Sequence, residues 1–463
     1  MKRLAEEFLA SWFERDGRKP LMVRGARQVG KSTLVRLFAE KRGLNLIEVN
    51  LERYPGLSSE FAAMDVKRIV REIDLGLGLG NALDQNTILF IDEIQVVPKA
   101  IQCLRYFYEE LPDLPVIAAG SLLEFALKDE SFSMPVGRIE YCWIGPMTFF
   151  ETLEATGKTN LIGYFNDHDI SNPVSEAVHG QMISLLRDYF LTGGMPEAVL
   201  AFSGNANRSR VAEILNQIIQ TYRDDFAKYS KQIQFPKLQL VFDAMARITG
   251  QKIKYVNISR DYKSGDLEKA LNLLHMAQVI TKVFRSSANI PFNASISVKR
   301  YKPFILDLGL LSHLAGIRKL QKERLLNIDP ATKGVLAEQF ACQHLIYLEG
   351  FSNRPEGFYW FREGVNRNAE VDFLIRHEQY IIPAEIKAGT GGALKSLQQF
   401  CYLKNCRLAV RFDLNPPSIQ KVRAIIWINN RSEEVFFTLI SLPLYLIEKT
   451  HDYLVKIVPQ LDM

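Results

Sequence analysis

A chain of 463 residues is long enough for about three domains, and its 47% hydrophobic content is enough for ordinary cores. The formal charge of +5 is mild and permits nucleic-acid contact without arguing for it. Cysteines at 103, 142, 342, 401 and 406 form no C-x-x-C pair, which excludes a disulfide framework or cysteine zinc site and fits a reducing cytoplasm. At the start of the chain, Lys2, Arg3, Glu6, Glu7, Glu14, Arg15 and Asp16 interrupt any apolar targeting core. Leu4, Phe8, Trp12 and Phe13 instead mark a short amphipathic helix. No stretch approaches the ~18 apolar residues of a membrane span.

Residues 25–32 read Gly-Ala-Arg-Gln-Val-Gly-Lys-Ser and follow the apolar run Leu21-Met22-Val23. This is a strand, a G-x-x-x-x-G-K-[ST] loop and the start of a helix, the pattern of a nucleotide-phosphate cradle. Glycines let backbone N–H groups turn onto an anion, and the helix N-terminus adds positive dipole. The expected nucleotide-binding segment is Gly25, Ala26, Arg27, Gln28, Val29, Gly30, Lys31, Ser32 and Thr33. Lys31 would reach the terminal phosphates, and the Ser32 hydroxyl would hold Mg²⁺. Leu34, Val35, Leu37 and Phe38 continue as an amphipathic helix.

Residues 88–91 are four apolar residues in a row, suited to a parallel strand buried on both faces. Asp92 and Glu93 follow at its C-terminal end, where α/β sheets place their ligands. Asp92 would join the Mg²⁺ shell, and Glu93 would polarise an attacking water. A third strand, 115–119, ends at Gly120-Ser121. Ser121 is placed to sense a γ-phosphate from the neighbouring strand, or to cap a helix over Leu122–Leu127; both roles are compatible. Arg138 is either a transition-state arginine, acting in its own chain or across a subunit interface, or a surface arginine.

The runs GARQVGKSTL, LFIDEIQ, AAGSLLEF and GRIEYCWIGPMTFFE, with Tyr189–Glu197 and Tyr222–Asp225, resemble AAA-type ATPases of bacteria and archaea that carry a DUF4143 C-terminal region. The resemblance covers nearly the whole chain. It implies ATP rather than GTP, with Lys31 and Ser32 on nucleotide and Mg²⁺, Asp92 and Glu93 as the strand-end pair, Ser121 in the sensor-like position and Arg138 in the Gly-Arg element. No second sensor arginine is matched. Such ATPases often form rings, so a homo-oligomer is an open partner class beside a monomeric switch.

Composition divides the chain into a nucleotide module (1–155), a helical lid or connector (156–235) whose first part, 156–175, reads as loop, a winged-helix-like module (236–325) and a C-terminal region (326–463). In the third module, helices at 238–248 and 266–275 precede strands at 279–285 and 301–306. The segment 264–274 would be the helix offered to a DNA major groove. Lys252, Lys254, Arg260, Lys263, Lys269, Lys282 and Arg285 make it basic; a protein-docking face is the alternative.

In the last region, 369–375 reads as one strand, residues 376–379 as a four-residue turn and 380–387 as the returning strand. Asp372 would then lie opposite Pro383, and period-2 alternation puts Asp372, Glu385 and Lys387 on one face. Two carboxylates and a lysine there can hold a divalent metal and position a water for phosphodiester attack. Glu338, on a helix over 335–348, would add a third oxygen ligand. This set resembles the PD-(D/E)xK nuclease-like fold, with Gln398 and Tyr402 in a Q-x-x-x-Y element.

The expected fold is therefore α/β. A P-loop, AAA-like parallel sheet is followed by a helical lid, a winged-helix-like module and a C-terminal α/β restriction-endonuclease-like domain. The expected cofactors are ATP and Mg²⁺, with a second Mg²⁺ or Mn²⁺ at the C-terminal carboxylates. Two functions are compatible: ATP turnover gating a metal nuclease that acts on DNA, or a nucleotide-switched binding protein whose last domain has no catalysis.

Overall fold

The computed structural model describes every residue except 79–85, 122–134, 136, 206, 230–234, 318–329, 364–367, 390, 392–393, 429–430 and 462–463. It contains two compact units. The first comprises Met1–Pro146 with Met276–Val279 and Gly350–Arg354, and the second the remaining chain from Met147. The proposed capping helix 122–127 lies outside the described residues.

The first unit is built on β1 (Leu21–Arg24), β2 (Asn45–Asn50), β3 (Thr87–Asp92), β4 (Val116–Gly120) and β5 (Glu140–Trp143). Their order is β2-β3-β4-β1-β5, and every pairing is parallel. Strands β1, β3 and β4 are buried along their whole lengths, which is why they read as unbroken apolar runs rather than alternating ones. Met22, Leu89, Ile91, Val116 and Ala118 share a core with Ile69, Ile73, Ile101, Leu104 and Phe107. Strand β4 sits between β1 and β3, so the ends of all three strands open on one edge of the sheet.

The second unit begins with helices, among them Phe149–Ala155, Glu176–Thr192, Pro196–Asn205, Arg208–Tyr229 and Phe235–Ile248. A helix, Thr159–Asn166, stands where a loop was expected; Leu161 and Phe165 are buried, and that apolar pair outweighs the polar residues around it. Helix Ser264–Met276 precedes β6 (Ile280–Ser286) and β7 (Ile296–Ile305), an antiparallel hairpin. The hairpin does not stand apart. Strand β6 also pairs in parallel with β8 (Gly357–Arg362), and β8 with β9 (Ala369–Val371), in the order β7-β6-β8-β9. Strands from both sides of residue 325 thus build one sheet.

A second sheet, order β10-β11-β12-β14-β13, mixes parallel and antiparallel pairings. It consists of β10 (Phe373–His377), β11 (Tyr380–Ile386), β12 (Leu408–Asp413), β13 (Ser418–Ile428) and β14 (Arg431–Pro443). Two expectations change here. The single strand 369–375 is broken at Asp372 into β9 and β10, which belong to different sheets. The turn holds two residues, not four, because His377 pairs with Tyr380 and Glu378 adopts φ 52, as two-residue hairpin turns require. A two-residue shift preserves side-chain parity, so Asp372 and Glu385 still share a face.

The Gly-Gly step expected to break the helical run is a tight latch. Asp307, fully buried, accepts hydrogen bonds from Gly194 N–H at 2.7 Å, Leu310 N–H at 3.1 Å and Gln343 Nε2 at 3.3 Å. Gly193 has φ 68, and a Cβ there would lie 2.2 Å from Asp307 Oδ1. A Cβ on Gly194 would lie 2.0 Å from the Met147 carbonyl, whose own N–H donates to Gly194 C=O at 2.6 Å. Only glycine fits either position.

Candidate nucleotide site and C-terminal carboxylate cluster

The helix Lys31–Arg42 begins at Gly30, whose φ of 93 only glycine holds without strain. The N–H groups of Lys31, Ser32 and Thr33 lie in its first turn, which has no intrahelical acceptors to offer them. They form the positive end of the helix dipole, at the C-terminal edge of β1. The Lys31 ammonium is buried and donates to the carbonyls of Gly25 at 3.0 Å and Ala26 at 2.8 Å. Burial pulls it down to about 8, against the upward influence of Glu93 and Asp92.

Sequence reasoning missed a support beneath this loop. Arg3 Nη1 donates to the Val29 carbonyl at 2.9 Å, and Nη2 to the Gly145 carbonyl at 2.8 Å. Read in the sequence only as a charge that interrupts an apolar targeting core, Arg3 is a buried clamp on the loop. Gly25 is tightly enclosed: an added Cβ would stand 2.4 Å from the Ile144 carbonyl. Gly25→Ala is therefore expected to shift the loop and weaken nucleotide binding at least about tenfold, since a misplaced phosphate cradle loses its aligned donors. Titration with a fluorescent ATP analogue checks this, and unchanged affinity would contradict it.

The structure brings Ser32, Asp92, Glu93 and Ser121 to the same edge of the sheet. Ser32 Oγ donates to Asp92 Oδ2 at 2.9 Å. Asp92 also accepts from the Glu93 N–H at 3.0 Å, yet burial still raises its carboxyl above the usual range. Glu93 has φ 52, a strained conformation for a non-glycine residue of the kind found at functional sites. Gln95, unremarked in the sequence, donates to the Glu93 carboxylate. The Ser121 hydroxyl is buried with no hydrogen-bond partner among the described residues.

These residues fit a nucleotide with Mg²⁺. A hydroxyl and a carboxylate in contact are the hard oxygen donors that Mg²⁺ takes, and the Ser121 hydroxyl, without a partner among the described residues, can donate to a phosphate oxygen. Arg138 is placed elsewhere. It precedes β5, whose Glu140 pairs with Leu21 at the opposite end of β1 from the cradle. There it meets Glu109 at 2.9 Å and lies over Tyr108. Within one chain it does not reach the phosphate site.

In the second unit, Glu338, Asp372, Glu385 and Lys387 do converge. Lys387 Nζ meets Glu385 Oε1 at 2.6 Å, and Asp372 Oδ2 accepts from Ile386 N–H at 2.9 Å. Burial raises Glu338, Asp372 and Glu385 together, and their mutual repulsion adds to it. A further cation, Lys302 on β7, lies among them. Its Nζ is 2.6 Å from Glu370, 3.5 Å from Glu338 and 3.9 Å from Asp372. Burial alone would pull Lys302 down, but these carboxylates hold it above the lysine range. Among the described residues, no group of three His, Cys, Asp or Glu side chains is arranged to hold a metal ion. Tyr402 neighbours Glu433. Of the seven basic residues marked for DNA, Lys252 pairs with Glu370, Arg285 with Glu363, and Lys282 donates to Asn272. Lys254, Arg260, Lys263 and Lys269 remain exposed. No described helix is long and apolar enough to cross a membrane.

Three family models match the chain: an AAA domain over residues 17–153, the domain of unknown function DUF8612 over 183–321 and the domain of unknown function DUF4143 over 333–430. No curated protein matches it. Among solved structures, the Thermotoga maritima RuvB Holliday junction branch migration motor is similar over 47% of this chain and 63% of its own, at 17% identity and a TM-score of 0.26. One variant of that protein matches at 16% identity with the same coverages and score. Another matches at 18%, over 47% of this chain and 61% of its own, with a TM-score of 0.25. The chain therefore spans less than two thirds of those structures. The AAA match falls on the parallel sheet with its phosphate loop and the DUF4143 match on the C-terminal region, so the chain carries an AAA domain followed by a DUF4143 region.

Proposed function

We propose that the chain binds ATP and hydrolyses it with Mg²⁺, and that turnover drives a conformational change. The observation that carries this reading is the shared sheet edge. It joins the glycine loop, the Ser32–Asp92 pair, strained Glu93 and the buried Ser121 hydroxyl. Bound Mg²⁺ supplies charge neutralisation across the phosphates. Lys31 exchanges its loop carbonyls for phosphate oxygens, Ser32 and Asp92 offer the metal their oxygens, and Glu93 takes a proton from water. Ser121 donates to the γ-phosphate that water attacks, and ADP is the leaving group. Turnover by the purified chain should require Mg²⁺ and vanish with EDTA; metal-independent hydrolysis would contradict the reading.

For the C-terminal region, one reading couples ATP turnover to a DNA nuclease using Asp372, Glu385, Lys387 and Glu338. The other has nucleotide state switching a non-catalytic binding domain. The position of Lys302 among those carboxylates favours the second. Supercoiled plasmid incubated with the protein, ATP and Mg²⁺ or Mn²⁺ should stay intact; nicking lost in Asp372→Ala would restore the nuclease.

A further inference from the structure

We propose that the ammonium of Lys302 is the resident cation of the carboxylate cluster around Asp372, in place of a divalent metal. The sequence pattern of this cluster points to a metal centre, and the geometry points to an internal ion network. Lys302 projects from β7 with its side chain only 3% exposed, and it reaches three carboxylates at once. Lys252 takes the other oxygen of Glu370 at 2.6 Å, and Lys387 takes Glu385. Asp372 commits its second oxygen to the backbone at Ile386. Each of the four carboxyls therefore has an ammonium or N–H within 3.9 Å, while Glu338 Oε2 and Glu385 Oε2 accept no hydrogen bond among the described residues.

Charge balance supports the same assignment. Four carboxyls face three lysines, so the ammonium groups already offset three of the four negative charges. Mg²⁺ demands oxygens at about 2.0–2.1 Å in a near-octahedral array. The Lys302 ammonium stands 2.6–3.9 Å from oxygens of three of these carboxylates, so a divalent ion there would meet a buried like charge at close range. Access is not the obstacle, because Glu338 and Asp372 keep 25% and 15% of their side-chain surface exposed. Lys302 lies 70 residues before Asp372 in the chain, outside the motif that suggests the metal.

The inference rests on the non-catalytic reading of this region, but its test reads metal binding rather than cleavage. Mn²⁺ alone, without nucleotide, is titrated into the full chain and followed by electron paramagnetic resonance and melting temperature. Ions at Ser32 and Asp92 are common to every variant and cancel in the comparison. Wild type and Asp372→Asn are expected to bind Mn²⁺ equally. Lys302→Met is expected to gain a site at least tenfold tighter, with a melting temperature that rises on adding Mn²⁺, and Lys302→Met/Asp372→Asn to lose it again. Wild-type Mn²⁺ binding removed by Asp372→Asn would overturn the proposal, whether or not the Lys302 variant folds. A folded Lys302→Met that gains no site would overturn it as well. Plasmid nicking without an Asp372-dependent Mn²⁺ site would sink the non-catalytic reading and leave the lysine assignment standing.

Discussion

Glu93→Gln is expected to bind ATP with Mg²⁺ and to turn it over about 10²–10⁴-fold more slowly, the usual worth of a positioned general base. The amide keeps the size of the carboxylate and much of its hydrogen bonding to Gln95. It also keeps the Asp92 contact, which comes from the backbone N–H of residue 93. What it loses is the basic carboxylate that takes a proton from water. The strained φ of 52 costs about 1–3 kcal/mol and fixes where that side chain emerges from β3. A fall in kcat with nucleotide affinity retained therefore separates chemistry from binding. Measured by phosphate release alongside analogue titration, a Glu93→Gln variant with wild-type kcat would remove Glu93 from the mechanism.

The second large effect is on stability. Asp307→Ala is expected to destabilise the second unit by roughly 2–6 kcal/mol, because it strands two backbone donors at about 1–3 kcal/mol each. The groups are Gly194 N–H and Leu310 N–H, both buried, while Gln343 Nε2 keeps its bond to the Tyr189 hydroxyl. Asp307→Asn keeps one acceptor oxygen and should cost less. The pH dependence has a definite sign. Burial raises Asp307 to about 6 from its ordinary 3.8, so the native state holds that proton more tightly than the unfolded chain does. The stability this carboxyl contributes is then greatest below pH ~4 and declines as pH rises to ~6. Urea unfolding of wild type and Asp307→Asn between those pH values should show the difference narrowing as pH rises; a widening difference would contradict the buried acid.

How much of this was readable in advance depended on how local the determinant was. The cradle and the strand-end pair are contiguous in sequence, and their geometry follows from a strand, a glycine turn and a helix start. Those residues met where expected, and β4 delivered Ser121 to the same edge. The face shared by Asp372 and Glu385 was also legible, because parity survives a two-residue change in turn length. The length itself was missed because a two-residue turn needs Glu378 in the left-handed region, which a non-glycine residue seldom adopts. Lys302 could not be placed from its sequence neighbours. It reaches the carboxylates only because β6 pairs in parallel with β8, joining segments some seventy residues apart. Arg3 was hidden for the same reason: its partners Val29 and Gly145 are 26 and 142 residues away. The isolated Gly-Arg element left Arg138 between an action in its own chain, one across an interface and a surface position, and strand register sets it away from the cradle of its own chain.

The central claim is that residues 25–33 with Asp92 and Glu93 form a working ATP site. The most direct measurement is steady-state ATP hydrolysis with Mg²⁺ by the full chain beside Lys31→Ala. The account predicts turnover by wild type and a loss of at least about 10²-fold in the variant, as expected when preorganised charge is removed from developing phosphate charge. Full activity in Lys31→Ala would contradict it.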